Sequence, residues 1–517
     1  MKYASRFEIP VIMPRSEKVQ TFEELAKLLG SRDHRRYKVV LCHGVFDLLH
    51  IGHIRYLQKA RQMGDLLIVT LTPDRFVNKG PNRPVFPETL RSDAVAALDC
   101  VDYVAVNQWP TAVEAIQQLQ PDVFAKGAES RDHKTPELIE EEKAADTHGV
   151  RVEYIEDVTS SSSHLINNYL SPFSDDVERD IAKLRNRYTL DEILSYVSAA
   201  RPLKMLVVGE AIIDEYYYCS AVGQSTKAPI VATRYESHER FAGGALAVAN
   251  HLAGFCDRVD LISMLGVHDT EEEWIRERLH ERISATFLYK ENASTIVKRR
   301  YRESYFDIPL FAINFLNDDP LTSAESATFC KLLEGSLHQY DAIVVADYGH
   351  SLVGDSAIKL LTSDAPFLAV NTQANAANVG FHTISKYPRA DHVSLSRRDL
   401  ELECRRSSGD IRELLQDVSL RLGTTTCAVT LGRDGCLCYG SRGGFHQSGS
   451  VTTRVVDRIG AADAFFAAST ICAVLRSPAD ILTFWGNVAG AEAVAVVGTS
   501  RTMDSLSFSR HIESLLK

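Results

Sequence analysis

A chain of 517 residues exceeds what one hydrophobic core holds, since cores stop growing near roughly 250–300 residues, so two or three domains are expected. Apolar residues make up 45% and charged residues 24%, the balance of a globular protein, and the formal net charge of −11 argues against a nucleic-acid partner. The ten cysteines form no CxxC pair or Cys/His cluster with zinc spacing, no signal peptide opens the chain, and no apolar run is long enough to span a membrane; reduced thiols, a cytoplasmic location and no membrane partner are expected.

Residues 1–35 read as an N-terminal extension, 36–170 as a first domain, 171–203 as a helical linker and 204–517 as a second domain. The first domain opens on a predicted strand, Tyr37-Lys-Val-Val-Leu-Cys42, that stops at His43-Gly44. Strands at 66–70, 102–106, 122–125 and 151–155 alternate with helices at 87–98 and 112–119, the order of a parallel sheet with right-handed crossovers. The linker carries Leu190, Ile193, Leu194 and Val197 at helical spacing. The second domain opens likewise on Lys204-Met-Leu-Val-Val208 and continues with strands at 259–264, 342–346, 367–370, 392–395 and 427–431. The fold class expected is α/β in both domains.

The richest segment is His43-Gly-Val-Phe-Asp-Leu-Leu-His-Ile-Gly-His53, where a strand ends in glycine and a helix begins with His50 and His53. Histidines three apart share one face of a helical turn, and Gly52 between them lets a ligand approach the backbone. Imidazoles beside a helix N-terminus suit a phosphate, although paired histidines also bind metals. Attack on an α-phosphate, with pyrophosphate leaving, needs such charge neutralisation. Gly44-Val-Phe-Asp-Leu-Leu-His-Ile-Gly-His53 resembles the GxFDxxHxGH signature of the cytidylyltransferase-like nucleotidyltransferases. Lys79-Gly-Pro-Asn-Arg-Pro84, Arg91, Ala97–Asp102 and Pro121–Gly127 follow that family in order, most like the adenylyltransferase half of the bacterial heptose-phosphate kinase/adenylyltransferases. The resemblance implies a Rossmann-like domain with His50 and His53 catalytic and with Gly44, Phe46, Gly52, Lys79, Arg91, Ser161 and Ser162 around the nucleotide. It further implies that Lys126 binds substrate. Composition alone would make Ser160–Ser163 a flexible linker.

A second constellation, Val456-Asp-Arg-Ile-Gly-Ala-Ala-Asp-Ala-Phe-Phe466, leads from small residues into an apolar helix. Backbone amides at a helix start form an anion hole, and Asp463 can take the proton of a substrate hydroxyl; a plainly capped helix has the same pattern. The segment resembles the DTxGAGDxF signature of the ribokinase/phosphofructokinase-B sugar kinases. Val207–Asp214, Gly243-Gly244, Val345-Ala-Asp-Tyr-Gly349 and Thr430-Leu-Gly-Arg-Asp-Gly435 match further segments of that family, the third being typical of heptose kinases. This implies an α/β sandwich with a small β lid, with Asp463 as base and Gly460, Ala461 and Ala462 as anion hole. It also implies Thr430, Gly432 and Gly435 near the nucleotide, with Asp214, Gly243 and Gly244 at the sugar. The chain departs from the family at Arg458 and Ala462, at Ala247 and His251 where asparagines are usual, and at Ser396-Arg-Arg-Asp399 in place of NxxE. The basic run Lys298-Arg-Arg-Tyr-Arg302 fits either a solvated strand edge or a sugar-phosphate site.

The two resemblances together imply a bifunctional enzyme making an activated sugar: nucleotidylyl transfer from ATP or CTP to a sugar 1-phosphate, and ATP-dependent phosphorylation of a sugar or sugar phosphate. Mg2+ is expected to accompany both nucleotides, and a homodimer is implied by the kinase family's lids. The domain order is the reverse of the familiar heptose enzymes. An alternative is a CTP-dependent enzyme for a polyol phosphate whose kinase half serves binding or dimerisation.

Overall fold

The computed structural model describes residues 18–30, 36–77, 83–128, 131, 135–155, 173–305, 307–376 and 378–516. Contacts divide the described residues into two units, 18–155 and Phe173–Leu516.

In the first unit, α1 (Phe22–Leu29) starts behind a capping box in which Thr21 and Glu24 satisfy each other's backbone amides. Then follow β1 (Val39–Gly44), α2 (Ile51–Arg61), β2 (Leu66–Leu71), α3 (Glu88–Ala96), β3 (Tyr103–Val106), α4 (Val113–Leu119), β4 (Val123–Gly127), α5 (Pro136–Thr147) and β5 (Arg151–Ile155). Among the described residues the strands form one wholly parallel sheet in the order β3-β2-β1-β4-β5. The sheet is covered on both faces, Val39, Leu41 and Phe124 facing one apolar cluster and Val40, Cys42 and Val69 the other. Burial on both sides is why β1 is apolar throughout instead of alternating. Strand order reverses between β1 and β4, and such a reversal leaves a crevice at the strands' C-terminal ends.

The second unit begins with α6 (Asp175–Arg187) and α7 (Leu190–Ala200), which bury Val177, Ile181, Leu184, Ile193 and Ala200 in its core. The stretch set apart as a linker thus contributes two helices to this unit. Next come β6 (Lys204–Gly209), β7 (Ala211–Gln224), β8 (Val231–Gly244), α8 (Ala245–Ala253), β9 (Arg258–His268), α9 (Glu272–Arg278), β10 (Ile283–Ser294), β11 (Ile296–Glu303) and β12 (Ile308–Phe315). The chain continues through α10 (Ser323–Leu333), β13 (Ala342–Asp347), α11 (Asp355–Asp364), β14 (Leu368–Thr372), β15 (His392–Ser396), α12 (Arg397–Cys404) and α13 (Ile411–Leu422). It closes with β16 (Thr426–Thr430), β17 (Cys436–Gly440), β18 (Gly444–Ser448), α14 (Ala461–Val474), α15 (Ala479–Val494) and α16 (Ser505–Leu516).

The main sheet has the order β10-β9-β6-β13-β14-β15-β16-β17-β18. It is parallel through β16 and antiparallel over its last two strands. A second, four-stranded sheet, β12-β11-β7-β8, forms the small lid expected from the sequence. The α/β class and the two-domain plan are those anticipated.

Candidate active sites

In the first unit β1 delivers His43 and Gly44 to the crevice. His43 is buried between Thr70 Oγ1 (3.0 Å from Nδ1) and Thr72 Oγ1 (3.3 Å from Nε2). Burial, then the charge of Lys126, pushes its pKa down to about 3, so the ring is neutral. Phe46 adopts a φ of +48°, a left-handed conformation costly for an aromatic residue, and its ring meets His53 edge-on at 5.3 Å. Asp47 fixes the opposite wall, accepting from Arg83 Nη1 (2.6 Å), Val85 N (2.7 Å) and Phe86 N (3.0 Å).

His50 is the N-cap of α2, and its Nδ1 accepts from the Gly52 amide at 3.1 Å. That bond assigns the proton of the neutral ring to Nε2, which makes Nε2 a donor. The His50 and His53 rings lie 4.0 Å apart between centroids. Two imidazoles, the positive end of α2 and the mouth of the sheet therefore converge. Arg91 is fully buried: Nε donates to Phe86 O (3.0 Å), Nη1 to Val45 O (2.5 Å), and Nη2 to Thr72 O (2.9 Å) and Asp74 Oδ1 (2.5 Å). In this state it ties together the loops around the crevice. Lys126 likewise pairs with buried Glu141 at 2.6 Å, anchoring β4 to α5. Lys79, Ser161 and Ser162 lie outside the described residues.

In the second unit α14 starts after Gly460, whose φ is +82° and where a Cβ would lie 2.9 Å from Thr499 Cγ2. The first helical amides, those of Ala461, Ala462 and Asp463, have no carbonyl of their own helix to bond. Ala462 sits within the regular helix, so replacing the family's second glycine leaves this amide a donor. The turn is clamped by Asp457, which accepts from Arg458 N (2.7 Å), Gly498 N (3.0 Å) and the Tyr216 hydroxyl (2.5 Å).

Asp463 is buried, and its Oδ1 accepts from Tyr348 Oη and Gln373 Nε2, each at 2.9 Å. Burial raises its pKa to about 6; the two hydrogen bonds restrain the rise, and the Asp214 carboxylate adds to it. Asp214 reaches the site from β7, whose parallel pairing with β11 sets it beside Lys298. Alternation along the strands gives Asp214 and Tyr216 the same face as Lys298 and Arg300, and Arg300 bridges Asp214. Lys298 lies 5.9 Å from the centre of the Tyr348 ring, its pKa lowered by burial. On the opposite face Arg299 bonds Glu215 at 2.7 Å.

The diglycine makes room for this arrangement. A Cβ on Gly243 would lie 2.1 Å from Asp214 Oδ2, and one on Gly244 (φ +60°) 2.6 Å from Glu210 O. Glu210 is itself buried and accepts from Tyr348 N (2.9 Å) and His350 N (3.1 Å), so it sets the turn that carries Tyr348. Burial and then Asp347 push its pKa up to about 7. Ala247 is buried in α8, and His251 accepts from Met503 N at 3.2 Å with its pKa pushed down to about 4 by burial, so both are packing residues.

Thr430 ends β16, and Gly432 (φ +63°) and Gly435 (φ +84°) make the next turn, where a Cβ on Gly435 would meet Ser448 O at 2.0 Å. Ser396 caps α12, its Oγ accepting from Asp399 N at 3.1 Å, and Asp399 Oδ1 accepts from Ala374 N at 3.1 Å, beside Gln373. Among the described residues no group of three His, Cys, Asp or Glu could cage a metal.

A parallel-sheet crevice with paired histidines, and a lidded cleft with a buried aspartate at a helix start, define a transferase-class enzyme chain with two sites. The cytidylyltransferase-like family matches residues 41–167, and the pfkB family of carbohydrate kinases matches residues 203–506, more than half of the chain. The chain belongs to the pfkB carbohydrate kinase family and carries a cytidylyltransferase-like domain ahead of it. It is 39% identical over 159 residues to the bifunctional protein HldE of Syntrophotalea carbinolica, covering 30% of this chain and 32% of that one. The HldE protein of Helicobacter pylori is 46% identical over 125 residues, 24% of this chain and 26% of that one. These matches fall in the N-terminal part, so the chain spans about a third of the length of these curated relatives. The solved phosphofructokinase-2 from Escherichia coli in complex with potassium aligns with a TM-score of 0.49 at 16% identity, covering 61% of this chain and 100% of that one. No helix among the described residues is long and apolar enough to cross a membrane.

Proposed function

We propose that the second unit phosphorylates a hydroxyl of a sugar or sugar phosphate with ATP, and that the first unit transfers a nucleotidyl group from ATP or CTP to a sugar 1-phosphate. The observation that carries the kinase reading is Asp463, a buried carboxylate with a pKa near 6 at the start of α14, with Asp214 and Lys298 facing it. Asp463 takes the proton of the attacking hydroxyl as its oxygen bonds the γ-phosphorus; ADP leaves. The Gly460–Ala462 amides and Lys298 hold the transferring phosphoryl charge, and Asp214 orients the sugar. Asp399, near Gln373 and Asp463, would hold a magnesium ion bound to the nucleotide, which would supply charge neutralisation on the phosphates. Lys298 and Arg300 on the cleft face favour a substrate that already carries a phosphate.

In the first unit a sugar 1-phosphate oxygen attacks the α-phosphorus and pyrophosphate leaves. His50 Nε2, His53 and the N-terminus of α2 hold the charge that builds on the α-phosphate and on the leaving group. Gly44, Phe46 and Gly52 shape the nucleotide cradle, and Arg91 keeps its walls in place. Lys79, Ser161, Ser162 and Lys126 complete this reading, Lys126 by exchanging Glu141 for substrate. A heptose phosphate is the sugar we favour, on the likeness to HldE. A second copy of the chain is the partner proposed for the outer face of the lid, where Tyr301 stacks on Phe311, Tyr217 packs tilted against Tyr301, and β12 is exposed. Incubating the chain with ATP or CTP and a panel of sugar 1-phosphates, while following pyrophosphate, tests the transferase reading. ATP turnover with free sugars and sugar phosphates tests the kinase reading; no product from any sugar would favour a binding or dimerisation module.

A further inference from the structure

The helix α6 lies outside the 203–506 segment that matches the sugar-kinase family, yet it packs against the loops at that unit's nucleotide end. Its Arg187 bonds Asp480 at 2.8 Å, Tyr188 donates to the same carboxylate at 3.0 Å, and Arg185 caps Leu515 O at 2.7 Å. The loop after β18 approaches it so closely that a Cβ on Gly449 would lie 2.5 Å from Val177 Cγ2. Asn487 of α15 donates to both Ser448 O and Gly449 O at 3.1 Å, which holds that loop against the helix.

Between α6 and these loops is a cavity of about 820 Å³, lined by Asp180 and Lys183 on the helix side and by Arg433, Asp434, Phe445 and Ser448 on the other. Arg433 and Asp434 belong to the Gly432–Gly435 turn, and the turn touches Ser448 through Gly435. The volume lies within the roughly 300–1,000 Å³ of small-molecule pockets, and charged groups of both signs line it, so a bare anion is a poor match. A base and ribose, with mixed donors and acceptors over a hydrophobic body, are a good one.

We infer that α6 is the outer wall of the kinase's nucleotide pocket, covering the base and ribose of the nucleoside triphosphate whose phosphates run toward Gly460–Ala462. This rests on the kinase reading above. It adds a structural element, from outside the family segment, that sets how tightly the nucleotide is held.

The test uses the full chain with azido-ATP, with photolabelled peptides mapped by mass spectrometry, and ATP kinetics of Lys183→Glu, a change at an exposed side chain (74% accessible). The inference predicts label on residues 173–187 together with the 430–435 turn. It also predicts a KM for ATP raised roughly 3- to 5-fold, the scale of an exposed charge contact, with kcat and the sugar KM held within about twofold. Label on the turn but not on α6, with KM unchanged, would overturn the inference and leave the kinase reading standing. No label anywhere in 204–516, with no ATP turnover, would overturn both.

Discussion

Tyr348 donates its phenolic hydroxyl to Asp463 Oδ1 across 2.9 Å, and both side chains are buried. The contact orients the carboxylate and opposes the rise in its pKa that burial causes. Tyr348 is in turn held by Glu210 through its own amide, at 2.9 Å. The protonation of Asp463 is thereby tied to a turn at the end of strand β13.

Tyr348→Phe removes that hydrogen bond without removing the ring. Asp463 then holds its proton to higher pH, so the acidic limb of the kinase kcat/KM profile moves upward from near 6 by about half to one unit, the worth of one hydrogen bond. Activity at pH 6 falls several-fold and recovers by pH 8.5. A profile that stays in place, or shifts to lower pH, would contradict the assignment of Asp463 as base.

Asp463→Asn separates chemistry from stability. Turnover of ATP with sugar falls by about 10²–10⁴, the range of a lost general base. The folded-state pKa, about 6, lies above the ordinary carboxylate value of 3.8, so the native state binds this proton more tightly than the unfolded chain. The stability that binding provides is full below about pH 3.8 and is lost as the pH rises through 6. Asparagine carries no proton to lose, so the variant gains stability over the parent above pH 6 and matches it near pH 4; denaturant melts at the two pH values read this out.

His50→Asn keeps an N-cap and loses an imidazole. Thermal stability of the first unit should stay near the parent's, whereas His50→Ala should lose about 1 kcal/mol with the cap. Both should lose pyrophosphate release by at least about 10²-fold, because both lose a donor aimed at the phosphates. Retained transferase activity in His50→Asn would reduce His50 to a capping residue.

Arg91→Lys is not conservative here, since one ammonium cannot reach three carbonyls and Asp74 in the geometry the guanidinium serves. The first unit should lose about 3 kcal/mol, as when one partner of a buried network is removed. A thermal melt unchanged within a degree would show that Arg91 is free to serve ligand alone.

The sheets were legible in the sequence where strands are buried on both faces. The apolar runs of β1, β6 and β13 end in Gly44, Gly209 and Asp347, and the motif glycines mark the turns that follow. The lid was far less legible. β12 is exposed along its length and β8 over most of it, so neither carries the apolar run that marks a buried strand. Asp47 and Tyr348 lie within the His43–His53 and Val345–Gly349 motifs, and their roles follow only from the partners that the fold brings to them. Gln373 carries no local signal, and Lys298 meets Asp214 only because β7 pairs with a strand 84 residues away. Strand alternation divides the basic run between two faces: Lys298 and Arg300 share the face of Asp214, and Arg299 takes the opposite one beside Glu215.

Two independent active sites on one chain is the central claim, and a crossed pair of variants tests it most directly. Pyrophosphate release from nucleotide and sugar 1-phosphate, and ATP-dependent sugar phosphorylation, are measured side by side for the parent, His50→Asn and Asp463→Asn. The account predicts that His50→Asn loses only the first reaction and Asp463→Asn only the second. Loss of both reactions in either folded variant, or retention of sugar phosphorylation by Asp463→Asn, would contradict it.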